Sequence, residues 1–169
     1  MTRAVLSLGS NLGDRLANLR LAVDGLGAAV TAVSPVYETA PWGGVEQPDF
    51  LNAVLVVAAD GVDEWDWLAR AQELESAAHR VRTVHWGPRT LDVDVVTVDG
   101  VTSEHRDLVL PHPGTPHRAT VLIPWLDVEP AAVLPGRGPV ADLLAALTPE
   151  EVAGVVRRDD LTLPVGGVA

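Results

Sequence analysis

Two residue types are missing altogether from this chain of 169 residues: cysteine and lysine. Without thiols there are no disulfides and no thiolate–zinc centres. Without lysine there is no GxxxxGK[ST] phosphate loop and no amine nucleophile. No apolar run approaches the ~20 residues that span a bilayer. Nor does Met1-Thr2-Arg3 open a basic-then-apolar signal segment, so no membrane contact and a cytoplasmic location are expected. Positive charge is scarce too. A formal net charge of −11 argues against a nucleic-acid partner, which would call for a basic face.

The chain does have apolar mass, 47% of its residues with a mean hydropathy of +0.20. That suffices for one compact domain over residues 1–169, with 160–169 expected as a flexible tail. The scarce basic groups are concentrated. All five histidines and five of the twelve arginines fall between His79 and Arg118, as if to receive a local anion.

The densest stretch is 80–96, RVRTVHWGPRTLDVDVV. Its period-two alternation Leu91-Asp92-Val93-Asp94-Val95 predicts a strand with both carboxylates on one face and the apolar side chains on the other. Carboxylates on a half-buried strand need a cationic partner. Magnesium suits them, since hard cations prefer carboxylate oxygens and let substrate phosphates complete the shell. Arg80, Arg82 and Arg89 suit phosphate oxygens. An edge strand with both acids in water is the alternative. His112 and His117 are five apart in a proline loop, which fits phosphate binding or loop anchoring better than zinc.

Residues 4–8 read as a buried strand and 14–26 as a helix capped by Asp14 or Asn11 and stopped at Gly27. A second strand is expected over 29–39, an edge or bulged one because of Pro35. A Pro/Gly-rich connection at 40–50 and a third strand at 51–59 follow. A second helix is expected from Asp63 to about His79. After the 91–98 strand, Asp99-Gly100 signals a hairpin with a short return at 101–102. Residues 108–118 read as a loop, 119–130 as a short helix halted near Pro124, and 139–147 and 149–158 as closing helices. The order strand, helix, strand, strand, helix, strand predicts an α+β fold, a ferredoxin-like sandwich with a mostly antiparallel sheet and additional helices. The residues alone thus lead to a magnesium-dependent phosphoryl- or nucleotidyl-transfer enzyme, a phosphohydrolase, or a nucleotide-binding sensor domain.

LSLGSNLGDR, SPVYETAPWGG followed by EQPDFLNAV, RVR with WGPRTLDVDVV, and LPHP with His117-Arg118 together resemble the 6-hydroxymethyl-7,8-dihydropterin pyrophosphokinase family over about residues 4–127. The resemblance implies transfer of the β,γ-pyrophosphoryl group of ATP to the pterin hydroxymethyl group in folate biosynthesis, giving AMP, by a monomer. It implies that Asp92 and Asp94 bind two magnesium ions and that Arg80 and Arg89 act with them in catalysis. Leu68, Gln72, Glu75, Arg80, Arg82, Arg89, Val95, His112 and Arg118 match ATP positions. Thr39, Ala40, Trp42, Phe50, Asn52 and Trp86 match pterin positions, with Phe50 stacking on the ring and Asn52 reading its edge. Loops at 9–14, 42–50 and 82–90 would close over the substrates. The sequence departs from the family pattern at Thr120, where a second aromatic usually sandwiches the pterin, and at Asp107 and Val109, where the family often has polar and basic residues.

Overall fold

The computed structural model describes residues 1–41, 46–79 and 90–164. In chain order the elements are β1 (Thr2–Ser10), α1 (Arg15–Leu26), β2 (Val30–Val33), β3 (Tyr37–Thr39), β4 (Phe50–Ala59), α2 (Glu64–Ala77), β5 (Asp92–Val98), β6 (Ser103–His105), β7 (Leu108–Leu110), α3 (Ala119–Val128), β8 (Val133–Leu134), β9 (Gly138–Pro139), α4 (Val140–Ala145), α5 (Pro149–Ala153) and β10 (Val156–Arg157). The main sheet runs β10-β3-β4-β1-β5, with β2 also paired to β4. Every pairing is antiparallel. β1 lies between β4 and β5, and its apolar side chains are buried on both faces, Ala4, Leu6 and Leu8 on one and Val5 on the other.

The helices sort to the two faces by residue parity. Ala4, Leu6 and Leu8 of β1, Leu51, Ala53 and Leu55 of β4, and Val93 and Val95 of β5 pack with α1 and α2. Val5, Val54 and Val96 pack instead under α3 and α4, with Leu122, Trp125 and Val140. Both long helices start where expected. Asp14 caps α1 by accepting the Ala17 N–H at 3.1 Å. Asp63 and Asp66 form a reciprocal capping box at α2. The helices approach closely at Gly25, where a β-carbon would lie 2.5 Å from Leu74 Cδ2.

The sequence expectations need correcting at four places. The strand expected over 29–39 is two strands, broken where the Ser34 hydroxyl accepts the Val54 N–H at 2.8 Å and Pro35 has no N–H to continue the ladder. The Asp99-Gly100 turn forms, with Gly100 at φ 73 and a Val98–Val101 bridge. The chain then makes a second hairpin, in which β6 follows the expected return and β7 occupies the start of the stretch read as a loop. α3 does not stop at Pro124 but runs through it to Val128, because Val121, Leu122 and Trp125 are buried beneath it. The last predicted helix ends at Ala153, and Val156–Arg157 instead joins the sheet beside β3. Leu161 and Leu163 pack on the core, and residues 165–169 of the expected tail lie outside the described residues.

Candidate active site

Parity also builds the site. Ser7 and Gly9 of β1, Phe50 and Asn52 of β4, and Asp92 and Asp94 of β5 point to the α3 face. With Thr39 of β3 they floor a cavity of about 480 Å³. Gly114, His117, Arg118, Thr120 and Val121, from the segment entering α3 and its first turn, form the opposite wall. The register puts Asn52, Gly9 and Asp92 in one row across three strands, with Ser7 beside Asp94 in the next. Gly9 sits at the middle of the row. A β-carbon there would lie 3.5 Å from Asn52 Oδ1, 3.6 Å from Phe50 Cδ1 and 4.0 Å from Asp92 Cβ. The glycine therefore leaves the floor open between an aromatic–amide half and an acidic half.

In the first half, Asn52 donates from Nδ2 to the buried Thr39 hydroxyl at 2.9 Å. That bond holds the carboxamide in place against β3. Asn11, also buried, donates to Gln47 Oε1 at 2.8 Å and to the Pro48 carbonyl at 2.9 Å, tying the turn after β1 to the segment leading into β4. Glu38, beside Thr39 on β3, accepts from Arg15 at 2.5 Å and from Arg158 at 3.0 Å. The Arg15 hydrogen bond, ahead of its charge and of Arg158, holds the Glu38 carboxyl below the usual range.

In the acidic half, β5 is the last strand of the sheet, and it carries a bulge where its pairing with β1 slips between Val5 and Leu6. Bulges of this kind re-aim side chains beside functional sites. At the bulge the His112 N–H reaches the Val96 carbonyl at 2.8 Å, which brings His112 Nε2 to 4.0 Å from Asp94 Oδ1. His112 Nδ1 accepts the Gly114 N–H at 3.3 Å, which assigns the ring proton of the neutral form to Nε2. Burial, reinforced by Arg118 and opposed by Asp92, lowers the His112 pKa, so the ring is a neutral donor at physiological pH. Arg118 lies flat over Gly114, where a β-carbon would come within 2.8 Å of its Nε.

Of the residues singled out in the sequence, Asp92, Asp94, Thr39, Phe50, Asn52 and Arg118 line the one cavity, and His112 stands beside Asp94. Ala40 lines a smaller adjoining cavity of about 160 Å³ with Thr120, Glu150 and Glu151. Leu68, Gln72, Glu75 and Val95 do not line the main cavity. The first three belong to α2, and Val95 has the parity opposite to the aspartates, so its side chain is buried among the residues packed with α1 and α2. Trp42, Arg80, Arg82, Trp86 and Arg89 lie outside the described residues. Sequence reading gave no site role to Ser7, Gly114 and Val121, and placed Gly9 in a loop over the substrates where the structure has it in β1. The alternation of Ser7-Leu8-Gly9 beside that of Asp92-Val93-Asp94 is the signal that could have found Ser7 and Gly9.

Residues 5–130 match the family model described as 7,8-dihydro-6-hydroxymethylpterin-pyrophosphokinase. The chain belongs to that family. As such it is a pyrophosphokinase of folate biosynthesis. It is 53% identical over 163 residues to the 2-amino-4-hydroxy-6-hydroxymethyldihydropteridine pyrophosphokinase of Mycobacterium tuberculosis, covering 89% of this chain and 87% of that protein. With the enzyme of the same name from Mycobacterium leprae it shares 54% over 177 residues, 96% of this chain and 92% of that one. A Plasmodium falciparum HPPK-DHPS crystal structure superposes with a TM-score of 0.67 at 15% identity. That match covers 85% of the pyrophosphokinase and 44% of the longer chain, and shows a shared fold.

Proposed function

We propose that the cavity is the meeting point of both substrates and that each half serves one of them. The observation that carries this reading is the open floor at Gly9, which joins the Thr39-oriented Asn52 and Phe50 to Asp92 and Asp94 without an intervening side chain. Phe50 offers a stacking face to a pterin ring, and Asn52 offers a carboxamide held in place by Thr39. The acidic half faces the ATP phosphates, with neutral His112 donating from Nε2 and Arg118 from its guanidinium.

The donor set fits magnesium. Asp92 and Asp94 supply hard oxygens from one strand face, and among the described residues no group of three or more histidine, cysteine or carboxylate side chains is placed to hold a metal alone. A site of two carboxylates that leaves coordination positions to phosphate oxygens is the magnesium pattern. Two ions held there would neutralise triphosphate charge. Asp94 would also lie where the pterin hydroxymethyl proton leaves. The remaining contributions are positional: the sheet sets the two halves in register, so the hydroxyl and the β-phosphorus are brought together by strand geometry rather than by a mobile side chain. We extend the reading to Arg80, Arg82 and Arg89 as further phosphate contacts, to Trp42 and Trp86 as pterin contacts, and to Leu68 and Gln72, with the β5 backbone at Val95, as the nucleoside side. The split strand–helix–strand halves are read as a ferredoxin-like core, and the enzyme as a cytoplasmic monomer.

The test is direct. With ATP, magnesium and 6-hydroxymethyl-7,8-dihydropterin, AMP and the pterin diphosphate appear in equal amounts by chromatography, and no AMP forms when pterin is left out. Phosphate release without pterin would make the protein a hydrolase. No turnover at all would leave a binding domain.

A further inference from the structure

Glu75 is buried on α2, with 6% of its surface exposed. Carboxylates are rarely buried unless a specific partner compensates for lost hydration. Here Oε2 accepts the backbone N–H of Val93 at 3.0 Å. Val93 stands between Asp92 and Asp94 on the outermost strand of the main sheet. In an antiparallel ladder the N–H groups alternate between facing the partner strand and facing away. Val93 is paired with Leu8 of β1, yet its N–H goes to Glu75 and so points off the sheet edge. The same outer edge is met again three residues on, where the Val96 carbonyl takes the His112 N–H. Asp94 is thus bracketed by two contacts to the backbone of its own strand.

We propose that Glu75 is a positioning residue for the Asp92–Asp94 pair, acting through the Val93 amide. An edge strand is the part of a sheet most free to slip or fray, and a slip of one residue turns every side chain to the other face. In β5 that slip would carry both carboxylates out of the cavity and into the core beneath α2. A buried side-chain acceptor on the one intervening N–H opposes it, because a buried N–H left without an acceptor is costly. This role differs from the nucleotide contact implied for Glu75 by family resemblance. It rests on the reading of Asp92 and Asp94 as the metal-binding carboxylates.

Three measurements test it on the full chain. In the wild-type protein the Val93 amide should exchange with solvent as slowly as the amides of β1; exchange at the rate of an open loop would overturn the proposal. Glu75→Leu removes the acceptor, whereas Glu75→Gln keeps one. Glu75→Leu should speed Val93 exchange and weaken Mn2+ binding, read by paramagnetic relaxation with a non-hydrolysable ATP analogue, by about tenfold, and Glu75→Gln should stay within about threefold of wild type. Binding of AMP without metal should be unchanged in both. Unchanged Mn2+ affinity in Glu75→Leu, or an equal loss of metal-free AMP binding, would overturn the positioning role. Asp94→Asn separates the two ideas. If it abolishes Mn2+ binding while Glu75→Leu leaves it intact, only the positioning role falls; if Asp94→Asn leaves it intact, the carboxylate reading itself falls.

Discussion

Replacing Thr39 with valine tests the pterin half of the site with little change of shape. Thr39 is buried at the end of β3, opposite Phe50 in the ladder, and its hydroxyl receives the Asn52 amide at 2.9 Å. Valine keeps the branched outline, so the cavity wall stays in place while the acceptor is lost. The freed N–H of Asn52 borders a cavity that admits water, so the cost to folding is modest, about 1 kcal/mol. The larger consequence is orientational. Asn52 loses the bond that anchors its carboxamide, and a ligand reading the amide must order it on binding. A neutral hydrogen bond contributes about 0.5–1.5 kcal/mol net, so pterin affinity should weaken by about two- to tenfold. Pterin fluorescence titration gives the affinity directly, and steady-state kinetics should show the same factor in KM for pterin with KM for ATP unmoved. Thr39→Ser should restore it. Unchanged pterin affinity, or an equal loss for ATP, would refute the assignment of Asn52 and Thr39 to the pterin.

Three further outcomes follow from the frame around the site. Tyr37, the only tyrosine, is pushed up to about 12 by burial, reinforced by its hydrogen bond to Asp127. Absorbance at the phenolate band should therefore show one transition near that value. Asp127→Asn should lower it while burial keeps it above 10. Because the folded pKa is the higher one, this group's stabilisation is complete below about 10 and is lost as the pH rises toward 12. Glu38 has the opposite sign. Its folded pKa is depressed, chiefly by Arg15, so its contribution is present above the ordinary carboxylate value and is lost as the pH falls through the folded one. Urea denaturation should show a shallower acid decline in Glu38→Gln. At Gly25, alanine should fail to deliver the ~1 kcal/mol expected of glycine replacement in a helix, because Leu74 must move. Valine there should cost about 2 kcal/mol by the same denaturation assay.

Much of the site was legible because it obeys the two-residue period. Leu91 to Val95 declared its two faces, and the structure put Asp92 and Asp94 on one and Val93 and Val95 on the other. What the alternation could not show was the neighbours across the sheet, since pairing Gly9 with both Asn52 and Asp92 is a matter of register between distant segments. Val95 was assigned to the nucleotide pocket by resemblance, against its own parity. Pro124 illustrates a local rule outweighed by packing. A proline inside a helix costs about 3 kcal/mol, but burying Leu122 and Trp125 contributes about 1.5–3 kcal/mol for each side chain. β10 left no local trace, because two residues became a strand only by meeting Tyr37 and Glu38, more than a hundred positions earlier. The β6–β7 hairpin was hidden by the prolines that follow it.

The central claim is that Asp92 and Asp94 make this floor a transfer site rather than a binding cleft. Single-turnover formation of AMP and pterin diphosphate by Asp94→Asn, at saturating ATP, magnesium and pterin, tests it most directly. The expected result is a rate lower by about 10³-fold or more, with pterin affinity measured on the same protein within about twofold of wild type. A rate within tenfold of wild type would contradict the account.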